Sequence, residues 1–363
     1  MSAYKPVIAI THGDINGISY EVILKTLSEP RVFEEFTTVI YGSSKAAGYY
    51  RKLLDVQNIS LNIVNSINDI NPKKVNLINC TDEELKVEMG ISTAEAGKAA
   101  LAALQKATAD LKAGKTDALV TAPLNKKNVQ TDGFHFPGHT EYFEQEFGNG
   151  KPALMLMIND VMRVAVVTGH IPLGEVAGNL STHLILDKLR IFNHSLKKDF
   201  NVIRPRIAVL GLNPHAGEEG LLGNEEESII APAMKQADNE GIICVGPYPA
   251  DGFFGSGMFN KFDGILAMYH DQGLIPFKTL SMDAGVNFTA GLPIVRTSPD
   301  HGTAYNIAGK NQASAESFRQ AIYMGMDILK NRRFYDEARK NPLKKMFFDR
   351  GKDDEKLDLT KEE

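Results

Sequence analysis

The stretch DGILAMYHDQGLIPFK, Asp263 to Lys278, decides how the chain is read. A short apolar run, Gly264 to Met268, has the length and content of a buried strand. It stops at Tyr269, His270, Asp271 and Gln272, and Gly273 then reads as a turn. Two other stretches share the design: Val164 to Thr168 runs into Gly169 and His170, and Ile207 to Leu210 runs into a loop from Gly211 to His215. Three histidines therefore follow three expected strands. In an open parallel α/β sheet, ligands bind beyond the carboxyl ends of the strands, so residues from distant parts of the sequence meet there. That is the case for a composite site at His170, His215 and His270.

Outward from this stretch, strand-like and helix-like runs alternate, the pattern of βα units around a mainly parallel sheet. Val7 to Ile10 and Thr38 to Tyr41 read as strands, with Tyr20 to Leu27 helical between them and Ser44 placed to cap the helix that follows. Thr93 to Ala113, rich in Ala, Leu and Lys, reads as a long helix. The strand Ala118 to Thr121 empties into Ala122-Pro-Leu-Asn-Lys126, on its own a turn followed by a solvated lysine. Ala153 to Ile158 and Val164 to Thr168 read as a hairpin or adjacent strands, followed by a helix from Leu184 to Phe200. Gly285 to Thr289 is a further strand, Gly291 to Gly302 a loop over the crevice, and Ser314 to Lys330 a closing helix. Residues 351–363 are dense in charge and read as a frayed tail.

Composition narrows the class. With 363 residues, 43% hydrophobic and 23% charged, the chain can bury a large core. A net charge of −5 argues against a general nucleic-acid surface, which needs clustered Lys and Arg, so an anionic ligand must be met by local cations. No apolar run reaches the roughly 18 residues of a membrane span, and the first ten residues lack a signal-peptide core. The cytoplasm is the expected compartment. Cys80 and Cys244 form no CxxC pair, which leaves a cysteine zinc site or disulfide framework without support. Neither the glycines at 217, 220 and 223 nor those at 252, 255 and 257 match G-x-G-x-x-G, and there is no Walker A sequence, so a Rossmann fingerprint is missing.

A lone histidine is more often a hydrogen-bonded structural residue than a ligand, and His183 and His194, in a helical pattern, keep that reading. The spacings of His170, His215 and His270 are too long for a local zinc motif, so a metal there depends on the fold. Three neutral imidazoles would leave coordination positions open for substrate, as a catalytic metal requires. Lys278, Asn287 and Arg296 form a second set. Each could be an ordinary surface residue, yet a lysine charge, an amide and an arginine fork suit a small substrate bearing carboxylate and phosphate.

Six stretches carry a resemblance: TAPLNK at Thr121, FPGHTEYF at Phe136, TGHIPL at Thr168, GLNPHAGEEGLLGNEE at Gly211, LAMYHDQGLIPFK at Leu266 and VNFTAGLPIVRTSPDHGTA at Val286. In this order, from about Val7 to Lys330, the chain resembles the 4-hydroxythreonine-4-phosphate dehydrogenase family of pyridoxal phosphate biosynthesis. The resemblance implies an α/β fold like isocitrate and isopropylmalate dehydrogenases, with two α/β/α subdomains flanking a cleft. Their expected extents are about 1–135 with 285–340, and about 136–284, within one catalytic unit over 1–340. It implies NAD and a divalent metal cation (zinc, magnesium or cobalt) as cofactors, with the metal on His170, His215 and His270. It further implies that His139, Thr140, Lys278, Asn287 and Arg296 hold the substrate, and that the protein is a homodimer with each site shared between subunits. Asp251 and His139 are the candidates for proton transfer. The chain departs from the family pattern at Gly13-Asp-Ile-Asn-Gly17-Ile-Ser19, where the family has Gly-Asp-Pro and then Gly-Ile-Gly, and at Gly252, where threonine is common.

The reaction these residues suit is oxidation and decarboxylation of 4-phosphooxy-L-threonine to 3-amino-2-oxopropyl phosphate. Two competitors stand beside it: a paralogous dehydrogenase of 4-phosphoerythronate or 4-phosphothreonate, and a metal-dependent hydrolase or aldolase working without NAD.

Overall fold

The computed structural model describes residues 5–342 apart from 30, 31, 57, 82, 83, 131–135, 137 and 282. The expected charged tail at 351–363 and much of the loop before Phe136 lie outside the described residues.

The chain opens with β1 (Val7–Thr11), α1 (Ser19–Leu27), α2 (Val32–Glu35), β2 (Thr37–Gly42), α3 (Ser44–Leu53), β3 (Leu61–Val64) and β4 (Val75–Asn79). Then come α4 (Ala94–Lys112), β5 (Ala118–Thr121), α5 (His139–Phe147), β6 (Leu154–Ile158), β7 (Arg163–Thr168), α6 (Val176–Asn179), α7 (Thr182–Lys198) and β8 (Arg206–Leu210). It continues through α8 (Ala231–Asn239), β9 (Ile243–Tyr248), α9 (Ala250–Gly255), β10 (Gly264–Tyr269), α10 (His270–Ser281), β11 (Val286–Ala290), β12 (Arg296–Pro299) and α11 (Glu316–Glu337). Helix starts follow local chemistry. The hydroxyls of Ser43, Thr93 and Ser181 accept from the amides three residues on and cap α3, α4 and α7. The cap of α3 is therefore Ser43, one residue before the Ser44 expected, because Ser43 keeps the extended backbone that a cap needs.

Among the described residues the strands form one sheet in the order β3-β4-β2-β1-β5-β12-β11-β6-β7-β10-β8-β9. The run from β3 to β12 is parallel throughout, and so is the run from β7 to β9. Antiparallel pairs join them, with β11 between β12 and β6, and β6 paired to β7 as the expected hairpin. Strands from before residue 135 and after residue 285 make one contiguous part of the sheet, and those from 154 to 269 make the other.

The packing explains where the cleft lies. One face of the sheet carries a single core running through both parts, from Ile8, Ile40 and Val120 to Phe288, Leu156, Val167, Leu266 and Val209, under α1, α7 and α11. The opposite face carries two separate cores. One gathers Ala9, Val39 and Leu119 with α4 and α5, and the other gathers Val164, Ala208 and Ile265 with Leu274 and Phe277 of α10. Between them the central strands line a cleft. Strand side chains alternate between faces, so Val286, Phe288 and Ala290 enter the continuous core while Asn287 and Thr289 point into the gap.

Two expectations change. Gly273 is no turn: α10 begins at His270 without an intervening loop, and Gly273 lies inside it against the sheet. An added Cβ would stand 2.8 Å from Val164 Cγ1 and 3.1 Å from Ala267 Cβ, so the glycine allows helix and sheet to touch. Residues 296–299, expected in a loop, form β12 at the centre of the sheet, where Arg296 obscured the strand pattern by being a buried charge. Among the described residues no helix is long and apolar enough to cross a membrane.

Candidate active site

The gap between the two cores is a cavity of about 260 Å³. Its floor is Met155 and Met157 of β6, Asn287 of β11, and Arg296 and Ser298 of β12. Its walls are Lys126, the start of α5 at His139, Thr140 and Glu141, the strand-end residues His170 and His270, Lys278 of α10, and Asp300 and His301. A larger hollow of about 570 Å³, lined by Cys80, Leu85, Lys98 and Ala102 among others, holds none of these groups.

Arg296 is 2% exposed. Its Nε and Nη2 donate to Thr121 Oγ1 at 3.1 and 2.6 Å, and its Nη1 donates to Thr289 Oγ1 at 3.2 Å and Asn287 Oδ1 at 3.4 Å. Among the described residues no carboxylate is in ion-pair contact with it. Burial pushes its pKa down to about 9, against the opposing field of Glu141, which leaves the guanidinium charged at neutral pH. A buried cation held only by neutral groups is costly, and an anionic ligand would relieve that cost.

Lys278 Nζ is paired to Asp300, 2.8 Å from Oδ1 and 2.9 Å from the backbone carbonyl. Burial raises the Asp300 carboxyl, with Lys278, His301 and His270 acting against it. His139 is the first residue of α5 and stacks on Phe143 at 6.3 Å. Burial, followed by the charges of Arg296 and Lys126, drives its pKa well below the ordinary value, so the imidazole is neutral at pH 7.

His170 and His270, from the ends of β7 and β10, have ring centroids 5.7 Å apart. His170 Nδ1 backs on Glu141 Oε1 at 3.4 Å, and His270 Nδ1 on Asp271 Oδ1 at 2.6 Å. Carboxylates behind both rings orient the Nε2 atoms outward, the arrangement found behind metal-ligating imidazoles. Lys126 Nζ lies 3.2 Å from His170 Nε2, so a positive charge already faces that nitrogen. Lys126, exposed in the loop that follows β5, thus sits at the cavity's edge rather than pointing away from it. Burial works to raise Glu141, but the His170 hydrogen bond, its own backbone amide and the charges of His170 and Lys126 hold it below the ordinary value.

His215 follows β8, which pairs with β10, so the three histidines leave three neighbouring parallel strands, β7-β10-β8. It sits in a turn, Pro214–Gly217, with left-handed φ of 54° at His215 and 53° at Ala216, values uncommon for residues with a side chain. The buried Glu226 sets this loop by accepting from the amides of Leu212 and Asn213 at 2.7 and 2.8 Å. His215 is exposed and does not line the cavity of its own chain, and Asp251, exposed on α9 beside the same turn, does not either. Among the described residues no three His, Cys, Asp or Glu side chains converge closely enough to hold a metal ion. The donor chemistry still fits a divalent cation: imidazoles on adjacent strand ends, two of them backed by carboxylates.

Of the residues expected from sequence, His139, Thr140, His170, His270, Lys278, Asn287 and Arg296 surround one cavity, while His215 and Asp251 stand together outside it. Sequence reasoning passed over Glu141, Asp300 and His301. Glu141 Oε2 and His301 Nε2 are buried with no hydrogen-bond partner among the described residues. Such atoms suit a ligand that supplies donors.

A family model described as Pyridoxal phosphate biosynthetic protein PdxA matches residues 34–325. A relative from Bacteroides thetaiotaomicron named 4-hydroxythreonine-4-phosphate dehydrogenase is 55% identical over 359 residues, covering 99% of this chain and 98% of that protein. The crystal structure of 4-hydroxythreonine-4-phosphate dehydrogenase from Klebsiella pneumoniae matches with a TM-score of 0.78 at 35% identity, covering 91% of this chain and 99% of that one. A relative from Oceanobacillus iheyensis, provisionally named a D-threonate 4-phosphate dehydrogenase, is 37% identical over 328 residues, covering 89% and 98%.

Proposed function

The chain belongs to the PdxA family and is an oxidoreductase of the 4-hydroxythreonine-4-phosphate dehydrogenase kind, and from that premise we propose that it oxidises 4-phosphooxy-L-threonine with NAD and a divalent metal. The observation that carries the reading is Arg296, a buried guanidinium with no carboxylate partner among the described residues, facing a cavity that Lys126 and Lys278 also enter. A small molecule bearing both phosphate and carboxylate supplies the missing negative charge.

The secondary hydroxyl becomes a ketone, and the resulting β-keto acid loses carbon dioxide to give 3-amino-2-oxopropyl phosphate. When bound, the metal supplies Lewis acidity and NAD takes up the hydride. Arg296, Lys278, Asn287 and Thr140 bind and orient the anionic groups. His139, neutral at its half-buried position, accepts the hydroxyl proton. His170, His215 and His270 would hold the metal.

We place the protein in the cytoplasm as a homodimer with shared sites, which accounts for His215 and Asp251 standing outside the cavity of their own chain. The two contiguous parts of the sheet support a division into about 1–135 with 285–340, and about 136–284, with the cleft between them.

NADH formation tests the reading directly. Purified protein is supplied with NAD, a divalent metal and either 4-phosphooxy-L-threonine or the corresponding hydroxy acid phosphates. Faster turnover of the amino acid is expected. Preference for the hydroxy acid would favour the sugar-acid reading, which the Oceanobacillus iheyensis relative keeps open, and substrate consumption without NADH would favour a hydrolase or aldolase.

A further inference from the structure

Arg296, Lys278 and Lys126 each bring positive charge to the cavity, but they are held differently. Lys278 is already paired with Asp300 at 2.8 Å. Lys126 Nζ lies 3.2 Å from His170 Nε2, and among the described residues no carboxylate is in ion-pair contact with it. The side chain is exposed, yet the backbone beneath it is pinned. Asn125 Oδ1 accepts from the amides of Lys127 and Asn128 at 2.8 and 3.3 Å, and Gln130 Nε2 donates to the Lys126 carbonyl at 3.0 Å.

These pins lead back to one carboxylate, Asp14, which is 0% exposed in the loop after β1. Its Oδ2 accepts from Asn128 Nδ2 at 2.9 Å and from the Tyr305 hydroxyl at 2.7 Å, and its Oδ1 accepts from the Asn16 amide at 2.9 Å. Tyr305, between β12 and α11, accepts in turn from Asn125 Nδ2 at 3.1 Å. The Asp14 amide donates to the Pro123 carbonyl at 2.8 Å. One residue therefore grips the Lys126 loop at Pro123 and Asn128 directly, and at Asn125 through Tyr305. Among the described residues no cation is in ion-pair contact with Asp14. A buried carboxylate met only by neutral donors costs more than a neutral fastening would.

We propose that Lys126 is a further substrate-binding residue and that Asp14 is the positioning residue that fixes its loop at the cavity wall. The proposal rests on the reading that the substrate is a small acid carrying phosphate and carboxylate. Arg296 on the floor forks onto one of these groups, and Lys126 at the rim holds an uncommitted charge for the other. Asparagine at position 14 keeps the shape but turns one acceptor into a donor, so it opposes one of the donors that meet there.

The test is calorimetric binding of 4-phosphooxy-L-threonine to the full-length protein without NAD, so that no turnover occurs. The protein, Lys126→Met, Asp14→Asn and the double variant form a cycle, with NAD affinity and melting temperature measured for each. Lys126→Met is expected to weaken substrate binding about 10- to 100-fold. Asp14→Asn should weaken it in the same direction, and the double variant should bind no worse than Lys126→Met, with NAD affinity unchanged throughout. Substrate affinity within twofold in Lys126→Met, or a loss confined to NAD, would overturn the assignment of Lys126. Full multiplication of the two losses in the double variant would show that Asp14 acts elsewhere and overturn its positioning role. If Asp14→Asn does not fold, Tyr305→Phe, which removes the link to Asn125, takes its place in the cycle, and failure of both to fold also overturns that role. An unaltered protein that binds the compound but forms no NADH from it would sink the proposed reaction and leave this cycle readable. One that does not bind it at all would sink both.

Discussion

Arg296 donates twice to the hydroxyl of Thr121, through Nε at 3.1 Å and Nη2 at 2.6 Å. That contact ties β12 to the end of β5 and turns the guanidinium across the cleft floor, with Nη1 toward Asn287 and Thr289. Arg296→Lys keeps a charge but cannot span these partners. If the fork holds a substrate oxyanion equally in ground and transition states, KM rises more than kcat falls. A lost charge-assisted hydrogen bond, about 1.5 to 3 kcal/mol, corresponds to roughly ten- to a hundredfold in kcat/KM. Steady-state kinetics with each substrate varied decides it, because a normal substrate KM with weakened NAD binding would move Arg296 to the cofactor side.

The metal assignment predicts that His170→Ala, His215→Ala and His270→Ala each lose bound metal and nearly all turnover with the fold retained. Elemental analysis of the purified variants checks this. Full occupancy in all three would remove the site.

How much of this was legible in sequence depended on whether the signal was local. The strand followed by histidine is local, and β7, β8 and β10 are neighbours as their shared design implied. The alternation in Val286-Asn-Phe-Thr-Ala290 also lay in plain view, since Asn287 and Thr289 are the polar positions of a strand buried on one face. Arg296 was harder, because a charged residue at the start of a central strand contradicts the usual pattern until Thr121, 175 residues away, receives it. The α10 start was misread because Gly273 signals a turn locally, whereas its cause is the distance to Val164 across a packed interface. Glu141 gave no signal as a lone acid, and only the fold brings His170 to it.

If sites are shared between subunits, inactive Lys278→Ala and His215→Ala protomers should recover some activity when mixed under conditions that exchange subunits. Lys278 lines the cavity and His215 does not, which makes them a suitable pair. No recovery after confirmed exchange would place both groups in one chain's site. Sedimentation as a monomer would refute the dimer.

Acid should weaken the fold through His12. This residue follows β1, is fully buried against Tyr20, and has Nε2 3.2 Å from the Ala99 carbonyl while Nδ1 has no hydrogen-bond partner among the described residues. Burial pushes its pKa down to about 4, with the Ala99 contact opposing. The unfolded chain takes up a proton near pH 6.5 and the folded one does not until about pH 4, so this contribution is present above 6.5 and is lost as pH falls toward 4. From pH 7 to pH 5 the loss is about 2 kcal/mol. Urea unfolding of the protein and of His12→Gln at both pH values should show a smaller pH difference in the variant. Equal differences would show that His12 does not titrate in this way.

Two residues compete for the proton-transfer role, and their positions separate them. His139 lines the cavity, whereas Asp251 is exposed on α9 outside the cavity of its own chain. Burial, Arg296 and Lys126 lower the His139 pKa well below its ordinary value, so its neutral form is the one present at pH 7 and is lost only as pH falls through that lowered value. If His139 is the base, the acid limb of kcat/KM lies below pH 6.5, and His139→Ala removes that limb together with about 10²- to 10⁴-fold of kcat. Asp251→Asn should then cost less. A pH-rate profile of the protein and both variants reads the two effects at once. Should the acid limb persist in His139→Ala while Asp251→Asn is the slower enzyme, the base is Asp251, and it must reach the cavity from a partner subunit or after closure of the cleft.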